Sequence, residues 1–168
     1  MTKYKIKDLL LKGKENLSTD IIIEGWVRSF RSNRFIALND GSTPKNIQCV
    51  VDFENFDPAV LSQVTTAASL RIEGTVAESM GKEQDIEIIV KNITLYGTAH
   101  PDDVQETILQ PKRHSLEKLR EQAHLRFRTN LFSSVMRVRH NLAFAIHEYF
   151  HKKGFYYIHT PIITHSDA

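Results

Sequence analysis

EGWVRSFRSNRFIALNDGSTPKNIQCVVD, residues 24–52, predicts consecutive strands joined by short polar turns, and the predicted fold class depends on them. With the residues just before it, this part of the chain divides into TDIIIEGWVR, NRFIALND and KNIQCVVD. Gly41, Ser42 and Pro44 supply the turn before the third segment. β-Branched and aromatic residues bounded by turn residues favour strands, so residues 19–52 predict three of them.

Side chains alternate between the two faces of a strand, and this alternation sorts the residues of the stretch. Ile36 and Leu38 share one face of the second strand, whereas Phe35 and Ala37 share the other. In the third strand Gln48 lies opposite the more apolar face. We therefore expect Phe35 and Gln48 on the more polar side of their strands.

A large aromatic on a polar face, with Arg28, Arg31 and Gln48 near it in sequence, is typical of a surface for single-stranded nucleic acid. The ring stacks on a base, the cations bind phosphate and the amide contacts a base edge. The same pattern also allows Phe35 to pack beneath a neighbouring loop, because small sheets often bury part of both faces.

The composition, 168 residues with 41% hydrophobic and 25% charged, is that of a soluble globular protein with room for one full domain and part of another. The apolar runs are too short to span a membrane, and the N-terminus lacks the apolar core of a signal peptide. Cys49 is the single cysteine, so no intrachain disulfide can form, and we expect a cytoplasmic location.

Positive charge is concentrated in one segment. Residues 111–140 carry eight Lys and Arg against two Glu, a net charge of +6, so the rest of the chain is at −4 because the whole is at +2. A basic segment of this kind suits a polyanion such as RNA. A solvated helix face with many charges is the alternative interpretation.

The order of predicted elements defines the fold class. A short amphipathic helix over residues 4–12 precedes the three strands, and a helix capped by Asp57 follows them. Two more strands, ASLRIEGTVAES and QDIEIIVKNITLYG, complete the order. Three strands, a helix and two strands predict a mainly β protein with helices, in which a five-stranded barrel of the OB-fold type occupies residues 1–100.

The second half of the chain predicts helices. Residues 98–111 are acidic and contain two prolines, which indicates a linker, and the linker or hinge extends over residues 101–129. Ser115 begins a short helix, and Thr129 or Asn130 begins a longer one that ends at Gly154. The run FYYIHTPIIT then predicts a buried strand. Residues 130–168 alone are too small for a domain, so we expect them to belong to a larger one.

The sequence His147-Glu148-Tyr149-Phe150-His151 matches H-E-x-x-H, the zinc peptidase pattern. Tyr157 stands where the extended pattern requires a third histidine. Both histidines also lie opposite the apolar stripe of the predicted helix, on the face that meets water. Because five-residue patterns of common residues recur by chance, we expect no metal site here.

The segments GWVRSFRSNRFIALNDGS, IQCVVD, KRHSLEKLREQAHLRFRTN and GFYYIHTPIIT together resemble the N-terminal part of class II, subclass b aminoacyl-tRNA synthetases. HLRFRTN resembles the asparaginyl members most, and an aspartyl-type member is the alternative within the subclass. The resemblance implies an anticodon-binding OB-fold and the first helix and strand of a truncated catalytic domain. It implies that Phe35 stacks on an anticodon base, that Gln48 reads the middle uridine, and that Arg28 and Arg31 belong to the same RNA surface.

The resemblance also implies a homodimer interface built on the long helix and the strand after it, with these residues: Leu131, Val135, Val138, Leu142, Gly154 and Pro161. It further implies that the full-length enzyme uses ATP and Mg²⁺ to attach asparagine to tRNA(Asn). The motifs that bind ATP in this class are absent from the 168 residues. We therefore expect this chain to bind the anticodon stem-loop without catalysis, cofactor or membrane. A non-catalytic OB-fold module for RNA remains the alternative.

Overall fold

The computed structural model describes residues 1–81, 84–107, 109, 112–160 and 163. The strands are β1 (Thr2–Lys3), β2 (Asp20–Arg31), β3 (Phe35–Asn39), β4 (Ile47–Val50), β5 (Ser69–Glu78) and β6 (Ile86–Gly97). The helices are α1 (Ile6–Lys12), α2 (Pro58–Ser62), α3 (Pro101–Thr107), α4 (Leu116–Glu121) and α5 (Asn130–Lys152). The chain is therefore mainly β as far as Gly97 and helical after it, with 3₁₀ turns at Gly13–Asn16, Phe53–Asn55 and Arg126–Arg128.

The strands form one sheet in the order β1-β2-β3-β4-β6-β5, and β2 also pairs with β5. The five longer strands thus form a closed circuit of pairings, since the N-terminal part of β2 pairs with β5 and its C-terminal part with β3. β4 and β6 are parallel, as are β1 and β2, and the other pairs are antiparallel. The structure adds the two-residue β1 to the five strands predicted from the sequence.

A glycine marks the place where β2 changes partner. Gly25 is the residue before β2 begins to pair with β3, and a Cβ atom at this position would lie 2.6 Å from the main-chain oxygen of Asn39. Heavy atoms do not approach that closely without a shift of the backbone, so a side chain would force the two strands apart. The absence of a side chain at Gly25 therefore allows the strands to cross closely there.

The core lies inside the circuit of strands. Ile36 and Leu38 are fully buried, as the alternation predicted, and Ile47 and Cys49 from β4 join them. Ile6 and Leu9 of α1 are also fully buried and belong to the same cluster, with the following residues of β2, β5 and β6: Ile21, Ile23, Leu70, Ile72, Ile86 and Ile88. Burial of these side chains away from water stabilises the fold, at about 1.5–3 kcal/mol for each large aliphatic residue.

Three helix caps lie where the sequence predicted them. Oδ1 of Asp57 accepts a hydrogen bond of 2.8 Å from the backbone N–H of Ala59 at the start of α2. Ser115 caps α4 and Thr129 caps α5, each through a side-chain oxygen that accepts a backbone N–H three residues later at 3.3 Å. At the other end of α5, Gly154 has a φ of +86°, in the left-handed region that ends a helix.

Residues 98–111, which the sequence predicted as a linker, contain helix α3, because a proline is compatible with the first turn of a helix and Asp102 and Asp103 favour that turn. One prediction for the second half of the chain was wrong. Residues 155–160 were predicted as a strand, but the structure assigns none there, since a strand needs a hydrogen-bonded neighbour and none of the described strands pairs with them. Pro161, on the same predicted strand, lies outside the described residues.

Helix α5 carries its apolar side chains on the surface. Leu131, Val135, Val138 and Leu142 are each exposed, by 47% to 59%. None of the described residues of this helix is buried. Across the described ranges, no helix is both long and apolar enough to cross a membrane.

Candidate nucleic-acid interface

The strand register places Phe35 of β3 beside Arg31 of β2, and it places Gln48 on β4, the other neighbour of β3. Phe35 pairs with Arg31 across β3 and β2, and Ala37, two residues further along β3, pairs with Gln48 of β4. Because alternate residues share a face, Phe35 and Ala37 lie on the side opposite the buried Ile36. The aromatic ring and the amide predicted to read a base are therefore on one face of adjacent strands.

This face opens into a groove of about 920 Å³, and Arg31, Phe35 and Gln48 all line it. Other parts of the chain also line the groove, namely Lys12 at the end of α1, Lys14 in the 3₁₀ turn after it and Ser79 just after β5. Lys45, in the turn between β3 and β4, adds a further cation. Two carboxylates, Glu15 and Asp85, line the groove as well, and Asp85 pairs with Lys14 at 3.6 Å. The groove thus combines an aromatic ring, an amide and cations, which are groups that bind a nucleotide.

The ring of Phe35 is half-buried and is not one of the residues that pack against the core. The guanidinium carbon of Arg34 lies 5.5 Å from the centroid of the ring, within range of a cation–π contact. The ring faces the groove, so a base can approach it. Phe35 is therefore not packed beneath a loop, which was the alternative interpretation of the sequence.

The amide of Gln48 has a fixed orientation. Its Nε2 atom donates to Oε2 of Glu87 at 3.2 Å, and the hydroxyl of Ser79 donates to the same oxygen at 3.3 Å. A carboxylate only accepts, so this contact requires Nε2 and not Oε1 of Gln48 to face Glu87. The backbone N–H of Gln48 donates to Oε1 of Gln84 at 3.4 Å. None of the described residues donates a hydrogen bond to Oε1 of Gln48, so within this part of the chain that oxygen is an acceptor for another group.

Glu87 and Ser79 are functional candidates that the sequence did not single out. The alternation of β6 placed Glu87 opposite Ile86 and Ile88, which indicated only an outward-facing charge. Its role as a hydrogen-bond partner of Gln48 depends on the pairing of β4 with β6, which joins residues 39 positions apart. No sequence pattern signals that pairing.

Arg28 lies apart from Phe35 and Gln48, and it does not line their groove. Its Nη2 atom donates to the main-chain oxygen of Arg128 at 3.1 Å, which joins β2 to the segment before α5. Burial of the side chain lowers the pKa of Arg28, and the nearby charge of Arg128 lowers it further. The structure therefore brings together three of the four residues predicted for the RNA surface and places Arg28 in an adjacent cavity with Arg128.

The turn between β3 and β4 is organised by its own side chains and is joined to α5. The Oδ1 atom of Asp40 accepts from both the N–H and the hydroxyl of Ser42, at 2.9 and 2.6 Å, and its Oδ2 atom accepts from the N–H of Ile6 at 2.9 Å. Arg137 of α5 donates to the main-chain oxygens of Gly41 and Ser42, the latter at 3.2 Å. These contacts connect the helix to the turn that leads into β4.

The H-E-x-x-H residues make other contacts. The ring of His147 meets that of Tyr157 edge to face with centroids 4.7 Å apart, and Glu148 pairs with Lys152 at 2.6 Å. Within the part of the chain that the structure describes, no group of three or more His, Cys, Asp or Glu is arranged to hold a metal ion.

Comparisons with known proteins find a matching family for a segment in each half of the chain. Residues 21–96 match the family described as OB-fold nucleic acid binding domain, and residues 115–168 match tRNA synthetases class II (D, K and N). The chain is 49% identical over its whole length to asparagine–tRNA ligase of Bacteroides fragilis and 48% identical to that of Cytophaga hutchinsonii. It covers 35% and 36% of these two relatives, so it spans about a third of their length.

The fold is shared with a solved structure. The crystal structure of asparaginyl-tRNA synthetase from Pyrococcus horikoshii complexed with asparaginyl-adenylate superposes with a TM-score of 0.76 at 21% identity, over 95% of this chain and 36% of that one. The two matched segments, an OB-fold followed by a part of a class II synthetase, are each similar to a region of class II aminoacyl-tRNA synthetases. Over its whole length the chain is similar to about a third of the asparagine–tRNA ligases.

Proposed function

We propose that this chain is the anticodon-binding and dimer-interface part of an enzyme that activates asparagine with ATP and esterifies it to tRNA(Asn). The observation that carries the proposal is the groove in which Arg31, Phe35 and Gln48 meet on the outer face of the OB-fold. The chain itself binds the anticodon stem-loop, and the chemistry belongs to the full-length enzyme.

The groove is suited to an unpaired uridine. Phe35 provides a plane on which the base stacks, and Arg31 provides positive charge for the adjoining phosphate. Because Nε2 of Gln48 is directed to Glu87, Oε1 is the end of the amide that can receive the N3–H of uridine. Cytosine has no hydrogen at N3 and cannot make this bond. We assign Gln48 to the middle base of the anticodon, which is uridine in tRNA(Asn).

The remaining assignments follow from the same proposal. Residues 1–100 form the anticodon-binding domain, with the five longer strands as its barrel, residues 101–129 form the hinge, and residues 130–168 begin the catalytic domain. The exposed apolar face of α5 pairs with a second copy in a homodimer, through these residues and those that follow the helix: Leu131, Val135, Val138, Leu142, Gly154 and Pro161. ATP and Mg²⁺ bind to parts of the full-length enzyme outside these 168 residues, and the enzyme acts in the cytoplasm.

Binding of an RNA hairpin that carries the anticodon of tRNA(Asn) tests the proposal. Phe35→Ala removes the stacking plane, and we expect it to weaken binding by about 1–3 kcal/mol. Phe53→Ala is the matched control, because Phe53 is exposed and does not line the groove. Equal affinity of the wild type and the Phe35→Ala variant in a titration would overturn the assignment of this groove to RNA.

A further inference from the structure

A separate cavity, of about 390 Å³, is lined by an exposed indole ring and two guanidinium groups, those of Trp26, Arg28 and Arg128. We call it the tryptophan pocket. Trp26 and Arg28 flank the buried Val27 on β2, so their side chains lie together on the outer face of the strand. Arg128 comes from the segment before α5. The pocket therefore lies where the barrel meets the second half of the chain.

The walls of the pocket are held in place by hydrogen bonds. The N–H of Ala67 donates to the main-chain oxygen of Val27 at 2.8 Å, and the N–H of Val27 donates to that of Ala68 at 2.9 Å. The hydroxyl of Thr65 donates to the main-chain oxygen of Ala99. Ala67 has a φ of +73°, in the left-handed region that an alanine rarely adopts. Such a residue persists only where its surroundings fix it, so the pocket is formed before a ligand arrives.

Two positive charges meet in the pocket without a counter-charge. Nη2 of Arg28 donates to the main-chain oxygen of Arg128 at 3.1 Å, and the charge of Arg128 adds to the burial that lowers the pKa of Arg28. Among the described residues, neither guanidinium forms an ion pair with a carboxylate, and none of those that line the pocket is acidic. A bound anion would relieve this repulsion.

The rest of the lining is largely apolar. Leu109 is 8% exposed, Ala67 and Ala99 are small, and Trp26 is 56% exposed, so its ring is accessible. A phosphate chain would leave these apolar walls without a partner, whereas an aromatic ring would cover them and stack on the indole. A carboxylate on that ring would meet the guanidinium groups, because their forked N–H donors match its two oxygens.

We propose that the tryptophan pocket binds a small aromatic carboxylic acid, with its ring against Trp26 and its carboxylate between Arg28 and Arg128. The volume of about 390 Å³ lies near the lower end of the range of roughly 300–1,000 Å³ that small-molecule sites span. This inference is independent of the proposed function, because none of the described residues lines both this pocket and the groove that holds Phe35.

Benzoate is the probe that tests the pocket. The readout is the indole N–H signal of Trp26 in a nitrogen–proton correlation spectrum, which is a single signal because the chain has one tryptophan. We expect benzoate to shift it in a saturable manner. Benzamide keeps the ring without the charge, and acetate keeps the charge without the ring. Each should bind at least roughly tenfold more weakly, since each lacks one of the two contacts.

Arg128→Gln tests the contribution of the cations. The variant keeps the main-chain oxygen that accepts from Arg28, so the attachment of this segment to β2 is retained, and we expect the affinity for benzoate to fall roughly tenfold. Arg139→Gln removes the same charge from an exposed position outside the pocket and should leave the affinity unchanged. Matching circular-dichroism spectra of the two variants show that both are folded.

Three results would overturn the proposal. The first is the absence of a saturable shift with benzoate. The second is equal affinity for benzoate and inorganic phosphate, which would show that the cations bind any anion and that the indole ring takes no part. The third is an equal loss of affinity in the Arg128→Gln and Arg139→Gln variants, which would place the bound benzoate elsewhere.

Discussion

The Nε2 atom of Gln48 lies 3.2 Å from Oε2 of Glu87, although the two residues are 39 positions apart in the sequence. The pairing of β4 with β6 brings them together, and the hydroxyl of Ser79 donates to the same carboxylate oxygen. Glu87 therefore decides which end of the Gln48 amide faces the groove. Under the proposed function, a residue that does not need to touch the RNA thereby contributes to the choice of base.

Glu87→Gln tests this positioning role. A glutamine at 87 can donate as well as accept, so it no longer fixes the orientation of the Gln48 amide. We expect the preference for a hairpin with uridine over cytosine at the middle anticodon position to fall by about 0.5–1.5 kcal/mol, the value of one hydrogen bond. The measurement is the ratio of the two dissociation constants. Glu54→Gln, at an exposed position outside the groove, should leave the ratio unchanged.

Arg137→Ala should loosen the attachment of α5 to the turn between β3 and β4. The variant loses the hydrogen bonds to the main-chain oxygens of Gly41 and Ser42, and we expect the free energy of unfolding to fall by about 1.5–3 kcal/mol because the donor is charged. Thermal unfolding followed by circular dichroism measures the change. Arg139→Ala, at an exposed position on the same helix, is expected to shift stability by less than about 0.5 kcal/mol. Equal shifts for the two variants would contradict the attachment.

Leu142→Lys tests the proposed pairing of two copies through α5. Leu142 is 59% exposed and lies on the apolar face with Val135 and Val138. A charge at this position would be buried without a partner in a dimer, so we expect the variant to remain monomeric at concentrations where the wild type associates. Sedimentation velocity distinguishes the two states. Asn141→Lys places the same charge on an exposed polar position next to it and should not prevent association.

Cys49 should resist alkylation while the protein is folded. Its side chain is fully buried among apolar residues, and burial raises the pKa of the thiol. The reactive thiolate is therefore scarce in the native state, and we expect modification by iodoacetamide only as fast as the chain unfolds. Labelling in the presence and absence of urea, read by mass spectrometry, checks this. Rapid labelling of the native protein would show that the strand is open.

The thiol of Cys49 also makes the free energy of unfolding depend on pH in the alkaline range. The unfolded thiol ionises near pH 8.5, whereas the folded thiol keeps its proton to higher pH. Above that pH the unfolded state binds fewer protons than the folded state, so the free energy of unfolding decreases as pH rises. Below about pH 8 this contribution is fully present and constant. Cys49→Ala should remove this part of the pH dependence, at the cost of a small cavity.

The sequence predicted those features that depend on neighbours along the chain. The alternation around Ile36 and Leu38 identified the buried face, and Asp57, Ser115 and the alternatives Thr129 and Asn130 identified the starts of three helices, the last of which is capped by Thr129. These predictions succeeded because side-chain alternation and N-capping are local properties of the backbone.

Features that depend on distant parts of the chain were not predictable. β1 has only two residues and exists because it pairs with β2, and Arg28 meets a residue 100 positions away. The run after Gly154 has the composition of a strand, but composition does not supply the neighbouring strand that residues 155–160 lack. Pro101 contributed to the prediction of a linker, although proline also occurs in the first turn of helices.

The contact of Arg137 with the turn constrains the amino-acid sequence of the helix more than that of the turn. Its acceptors are main-chain oxygens, which every amino acid carries, so substitutions in the turn leave them in place as long as the path of the backbone is kept. On the helix, by contrast, only a forked guanidinium reaches two such oxygens at once. Substitutions in the turn can therefore keep this junction, whereas a substitution of Arg137 removes it.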